Sequence, residues 1–114
     1  MNAESCKAAL ADLASVTDIF YSARYDHNVA TREPVKENLS MLENVMDAIE
    51  PIAPGLTHVH LVHGTKYYGS HLGPFRTPAK EHQPRHEGPN WYHAQEDFIV
   101  ARQQGKSWTW SPSR

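Results

Sequence analysis

Apolar residues near the start of the chain recur at spacings of three and four, at Cys6, Ala9, Leu10 and Leu13, within an alanine-rich stretch. That period matches one face of a helix, so a short amphipathic helix is expected over residues 3–14. Ser15 and Thr17 break the pattern, and residues 16–23 (VTDIFYSA) are β-branched, aromatic and mostly apolar without strict alternation. They predict a strand covered on both faces. Residues 25–34 are polar and irregular, and Pro34 suits the opening turn of a helix over residues 35–52. On that helix Leu39, Leu42, Met46 and Ile49 form one stripe, while Lys36, Glu37, Glu43, Asp47 and Glu50 face water. Pro51, Pro54 and Gly55 end it, and the β-branched centre of residues 57–63 (THVHLVH) predicts a second strand.

Residues 64–89 are rich in Gly, Pro, His and charge, far longer than an ordinary strand-to-helix loop. Asn90 is placed to cap a helix continuing through Gln104, with Trp91, Ala94, Phe98 and Ala101 on one face and Gly105 as a stop signal. Residues 107–111 (SWTWS) predict a last strand. Helix, strand, helix, strand, loop, helix, strand is the order of an α/β fold: a Rossmann-like, doubly wound parallel sheet of about three strands with flanking helices. Three strands leave an edge that such folds normally pair, so residues 1–114 are expected to form one partial domain.

Composition narrows the function. With 114 residues, 39% hydrophobic and 21% charged, the chain suffices for one modest core and not for two domains. A formal charge of -2 and no dense Lys/Arg cluster argue against nucleic acid as a partner. Cys6 is the single cysteine, which excludes an internal disulfide and fits a reducing compartment. Residues 1–5 lack the basic stretch of a secretion signal, and no window approaches the ~18 apolar residues of a membrane span, so a cytoplasmic location without membrane contact is expected. Among eight histidines, His58 and His60 share a strand face, with His63, His82, His86 and His93 as further candidate ligands. Neither H-E-x-x-H nor a cysteine pair accompanies them, and no metal is expected.

In a doubly wound sheet ligands bind at the carboxyl ends of the strands, and the helix after each strand begins at that same edge. Lys66 stands just beyond the second predicted strand and Tyr92 in the first turn of the following helix, so both should face one crevice. An ammonium beside a phenol favours the phenolate, lowering a pKa of about 10 and making a proton donor or oxyanion partner of the tyrosine.

Four blocks then bring a resemblance: Gly64-Thr65-Lys66-Tyr67-Tyr68-Gly69, Leu72-Gly73-Pro74-Phe75, Asn90-Trp91-Tyr92-His93-Ala94-Gln95-Glu96-Asp97-Phe98 and Ser107-Trp108-Thr109-Trp110-Ser111. In this order they resemble consecutive motifs of the progesterone 5β-reductase and iridoid synthase-like short-chain dehydrogenase/reductases. Residues 16–23 resemble that family's fourth Rossmann strand, and Asn38-Leu39 its next helix. The resemblance implies NADP(H) or NAD(H) as cofactor and an enone or enal as substrate, with Tyr92 and Lys66 catalytic. Lys66 would also bind the nicotinamide ribose, and Gly64, Ser22 and Ala23 would line the cofactor groove. It further implies a lysine supplied from the strand end rather than from the Tyr-x-x-x-Lys motif of most relatives, and the residue four beyond Tyr92 is indeed Glu96. No G-x-G-x-x-G follows any strand, and the region that binds substrate in the family has no counterpart. The expectation is therefore a fragment or truncated reductase, with tight dinucleotide binding not expected of the chain alone. The competing expectation is a non-catalytic α/β remnant that self-associates through its exposed sheet edge.

Overall fold

Ile19 and Tyr21 of the first strand stand opposite Val59 and Leu61 of the second, and the face these four residues share organises the chain. A computed structural model describes residues 2–26 and 33–114; the predicted loop over residues 25–34 therefore lies partly outside the described residues. The elements are α1 (Ala3–Leu10), β1 (Asp18–Tyr21), α2 (Val35–Ile49), β2 (His58–Val62), two 3-10 turns (Thr65–Tyr68 and Ser70–Leu72), α3 (Trp91–Gln103) and β3 (Thr109–Ser113). The three strands form one sheet in the order β1-β2-β3, every pair parallel. That is the predicted element order and the predicted α/β class.

Element ends moved for local reasons. α1 is capped by Asn2, whose side chain accepts from the Ser5 amide at 2.8 Å, and stops at Leu10 rather than at residue 14, with Cys6 buried along it. Pro51 has no amide hydrogen to extend α2, which ends at Ile49 rather than at residue 52. β3 begins two residues later than predicted. Trp108 is drawn under α2, where its indole donates to Glu50 at 2.8 Å, and Gln103 donates to its carbonyl at 3.0 Å. Pairing starts only at Thr109, whose amide reaches the Thr57 carbonyl at 2.9 Å. Pro112 is tolerated because every second residue of β3 turns its backbone toward β2, and Pro112 is one of those that does not.

Leu42, Met46, Val59, Leu61 and Ile99 form the driest part of the core, and Leu10 of α1 packs on its margin. All three helices thus contribute to one side of the sheet. The expectation that β1 is covered on both faces is overturned: Ile19 and Tyr21 are buried, but Phe20 is 71% exposed. On the opposite face Phe20, His58, His60, Val62, Thr109, Ser111 and Ser113 meet no helix among the described residues. A side-chain ladder crosses it, His58 bonding Thr109 and Ser111 at 2.7 and 2.8 Å and His60 bonding Ser111 and Ser113 at 2.8 and 3.2 Å. The inward face of α3 is rotated from the predicted one, although Trp91 is buried and Phe98 packs against the core as expected. Trp91, His93, Gln95 and Ile99 are buried, whereas Ala101 is exposed.

Candidate active site

Three chain segments meet at the carboxyl edge of the sheet. The register pairing Tyr21 with Leu61 sets Ser22 and Ala23, beyond β1, level with Val62 and His63 at the end of β2, one residue short of Gly64. Ser22 and Ala23 are exposed on the rim. The chain then turns through the first 3-10 segment, which carries Lys66, and that segment is pinned to the start of α3. Asn90 accepts from the Tyr92 amide at 2.9 Å as the helix cap, and its amide nitrogen donates to the Lys66 carbonyl at 2.8 Å. One residue on from Tyr92, His93 bonds the Tyr67 carbonyl at 3.0 Å. Gly69 closes the turn at φ 87°, and a Cβ there would press on the His86 ring at 3.3 Å.

This local wiring brings Lys66 and Tyr92 into one crevice. The Lys66 ammonium stands 5.9 Å from the centre of the Tyr92 ring, and the phenol oxygen lies 3.8 Å from where a Cβ on Gly64 would sit. The ammonium is nevertheless not bonded to the phenol. It pairs with the Glu33 carboxylate and lies 2.8 Å above the centre of the Trp91 ring. The same Glu33 oxygen accepts from the Trp91 amide at 3.3 Å.

Charge follows this arrangement. Burial holds the Lys66 pKa below its ordinary value, with the Glu33 bond and charge opposing. Burial pushes the Tyr92 phenol upward, Arg24 opposing and Glu33 adding. The lowering of the phenol expected from a neighbouring lysine is thus reversed: burial raises the phenol, and the Glu33 charge adds to the rise.

Behind Tyr92 lies His63, only 8% exposed, its ring stacked on the Tyr92 ring at 4.4 Å and 27° and facing Tyr67 at 6.0 Å on a near-parallel plane. Among the described residues neither ring nitrogen has a hydrogen-bond partner of normal geometry. Burial lowers its pKa to about 4; Glu96 and a weak contact with Gln95 oppose, and Arg114 and His93 add. Below the crevice Glu96 accepts from Arg85 and Tyr67 at 3.3 Å each and pairs with Arg114, so the long loop is tied to α3. Tyr67, Tyr68, Phe75, Arg85 and His86 line an adjoining open pocket of about 320 Å³. Among the described residues no three His, Cys, Asp or Glu side chains converge as metal ligands.

Residues 2–114 match the family model described as a PRISE-like Rossmann-fold domain. The chain belongs to that family. Similar curated proteins include a short-chain dehydrogenase of Penicillium aethiopicum, 40% identical over 82% of this chain and 26% of its own length. A 3-oxo-Delta(4,5)-steroid 5-beta-reductase of Arabidopsis thaliana is 37% identical over 99% of this chain and 30% of its length. An (S)-8-oxocitronellyl enol synthase of Nepeta racemosa is 37% identical over 95% and 29%. The progesterone 5β-reductase and iridoid synthase-like resemblance therefore holds over nearly all of this PRISE-like chain, which spans between a quarter and a third of the length of those relatives.

Glu33, Trp91 and His63 escaped the sequence reading as site residues. From sequence Trp91 reads only as a packing residue and His63 only as a candidate metal ligand. For Glu33 the sole signal was an acidic residue before the proline that opens a helix, at the helix end nearest the crevice.

Proposed function

We propose that this chain is the acid-bearing part of an NAD(P)H-dependent reductase acting on the activated C=C bond of an enone or enal. The observation that carries this reading is the juxtaposition of Lys66 and Tyr92 over Gly64 at the carboxyl edge of a parallel sheet. The residues present fit the nicotinamide-ribose end of the cofactor: Gly64 leaves the strand end open, Ser22 and Ala23 are exposed beside it, and Lys66 carries an ammonium that could donate to ribose hydroxyls once released from Glu33. The pyrophosphate end finds no glycine-rich turn in this sequence. The bound nicotinamide supplies the hydride that the β-carbon accepts. What this chain supplies is a hydrogen bond from the Tyr92 hydroxyl to the carbonyl oxygen as negative charge develops there. A neutral phenol with a raised pKa is a donor over the whole physiological range.

Nicotinamide fluorescence on titration with NADPH and NADH tests the cofactor part, and consumption of an enone followed through nicotinamide absorbance tests the reaction. The absence of binding at millimolar nucleotide refutes the reading for the chain alone. In an assembly that turns over, Tyr92→Phe should lower kcat by about two to three orders of magnitude, as loss of one oxyanion donor does elsewhere.

A second reading has its own observation. Among the described residues the outer edge of β1 is unpaired, with Phe20 exposed on that strand, whereas the outer edge of β3 is blunted by Pro112. Self-association through β1 would bury that edge. Light scattering that finds a monomer at all accessible concentrations would exclude it.

A further inference from the structure

Glu33 immediately precedes Pro34, the residue that opens α2, and reaches across to the first turn of α3, joining two segments that the sheet alone would leave apart. Its side chain is only 14% exposed, and that of Lys66 18%, so the pair is largely removed from water. One carboxylate oxygen receives both the Lys66 ammonium and the Trp91 amide, at the positive end of the α3 dipole. The indole face supplies a second attraction for the same ammonium. Lysine carries its charge on a flexible four-carbon stem, so the ammonium has a choice of seats, over Trp91 or toward the phenol of Tyr92, whose ring centre is 5.9 Å away. In this structure the Trp91 seat is filled.

We propose that Glu33 is the positioning residue of the Lys66 and Tyr92 pair, a carboxylate tether that seats the ammonium over Trp91 and withholds it from the phenol. The inference rests on the reductase reading for its functional meaning, since a ligand hydroxyl or phosphate entering the crevice would have to draw Lys66 off this tether. The geometry itself needs no ligand. Arg24, whose guanidinium lies 5.7 Å from the same indole, is paired with Asp26.

The test is the full chain labelled with carbon-13 at lysine ε and tyrosine ζ positions, studied by NMR at pH 7 without nucleotide. In the wild type, Lys66 ε-protons should show Overhauser contacts to the Trp91 indole. In Glu33→Gln, which keeps the shape and an acceptor for the Trp91 amide, those contacts should weaken, contacts to the Tyr92 ring should appear, and the Tyr92 ζ-carbon should shift. A folded Glu33→Gln chain whose Lys66 stays on Trp91 and whose Tyr92 signal does not move overturns the proposal. Lys66→Met gives an independent readout should Glu33→Gln fold poorly. A withheld ammonium predicts that its loss leaves the Tyr92 ζ-carbon near its wild-type position, and a large shift overturns the tether. Failure of nucleotide binding would sink the reductase reading and leave these outcomes untouched.

Discussion

His63→Phe is expected to stabilise the protein, and to do so more at pH 5 than at pH 7. The wild-type imidazole is 8% exposed and among the described residues has no normal hydrogen-bond partner for either nitrogen, so folding strips it of water without replacement. An unsatisfied buried polar group costs about 1–3 kcal/mol, and phenylalanine keeps the ring that stacks on Tyr92 without that cost. The pH dependence has a definite sign. The folded-state pKa is about 4 against 6.5 for the unfolded imidazole, so the unfolded chain binds the proton more tightly. Stability attached to His63 is complete above pH ~6.5, where the ring is neutral in both states, and falls away as pH drops toward 4. The span of pKa corresponds to about 3 kcal/mol, of which about 2 kcal/mol is already gone at pH 5. The assay is urea unfolding of wild type and variant at pH 7 and pH 5. The stability gap between them should widen by about 2 kcal/mol on acidification. His93, whose pKa is also lowered by burial, titrates in both proteins and largely cancels in the difference. A gap that stays constant with pH would refute the assignment of a buried, neutral imidazole behind Tyr92.

Two further outcomes follow from buried polar groups. Asn38, fully buried, accepts from the Tyr25 amide at 2.8 Å and donates to the Tyr25 and Pro34 carbonyls at 2.9 Å each; Asn38→Ala should cost about 2–3 kcal/mol in urea unfolding and loosen the segment beyond β1. Asn90→Ala removes the α3 cap and the bond to the Lys66 carbonyl together, and should cost about 1–2 kcal/mol, with faster amide exchange at Tyr92.

The elements themselves were legible because their periods are strong: the Leu42 and Met46 stripe of α2 and the β-branched centre of β2 needed no partner to be recognised. What escaped depended on partners distant in sequence. The inward face of α3 was misread because its buried positions include Gln95 and His93. They tolerate burial only through bonds to the Asn38 and Tyr67 carbonyls. β1 was read as buried on both faces from its apolar composition, yet the outward side of Phe20 meets no helix among the described residues. The crevice was legible from topology, since carboxyl ends of parallel strands and the starts of their following helices share an edge. Its electrostatics were not, because the group that decides them, Glu33, lies 33 residues from Lys66.

The position of the lysine has a structural cost that the rest of the chain meets. In a Tyr-x-x-x-Lys arrangement helix geometry alone places the ammonium beside the phenol, since residues four apart lie on one face. Here the corresponding position is Glu96, which faces Tyr67, Arg85 and Arg114 and is committed to holding the long loop. Lys66 comes instead from a 3-10 turn with little regular backbone of its own. Its placement depends on three bonds to groups at or beside the start of α3 and to Glu33: Asn90 to the Lys66 carbonyl, His93 to the Tyr67 carbonyl, and the Glu33 ion pair. Glu96 and these contacts meet at Tyr67, the residue after Lys66, whose hydroxyl donates to Glu96 and receives Arg85 while His93 holds its carbonyl. Disturbing the loop anchor should therefore move the lysine even though Arg85 touches neither Lys66 nor Tyr92.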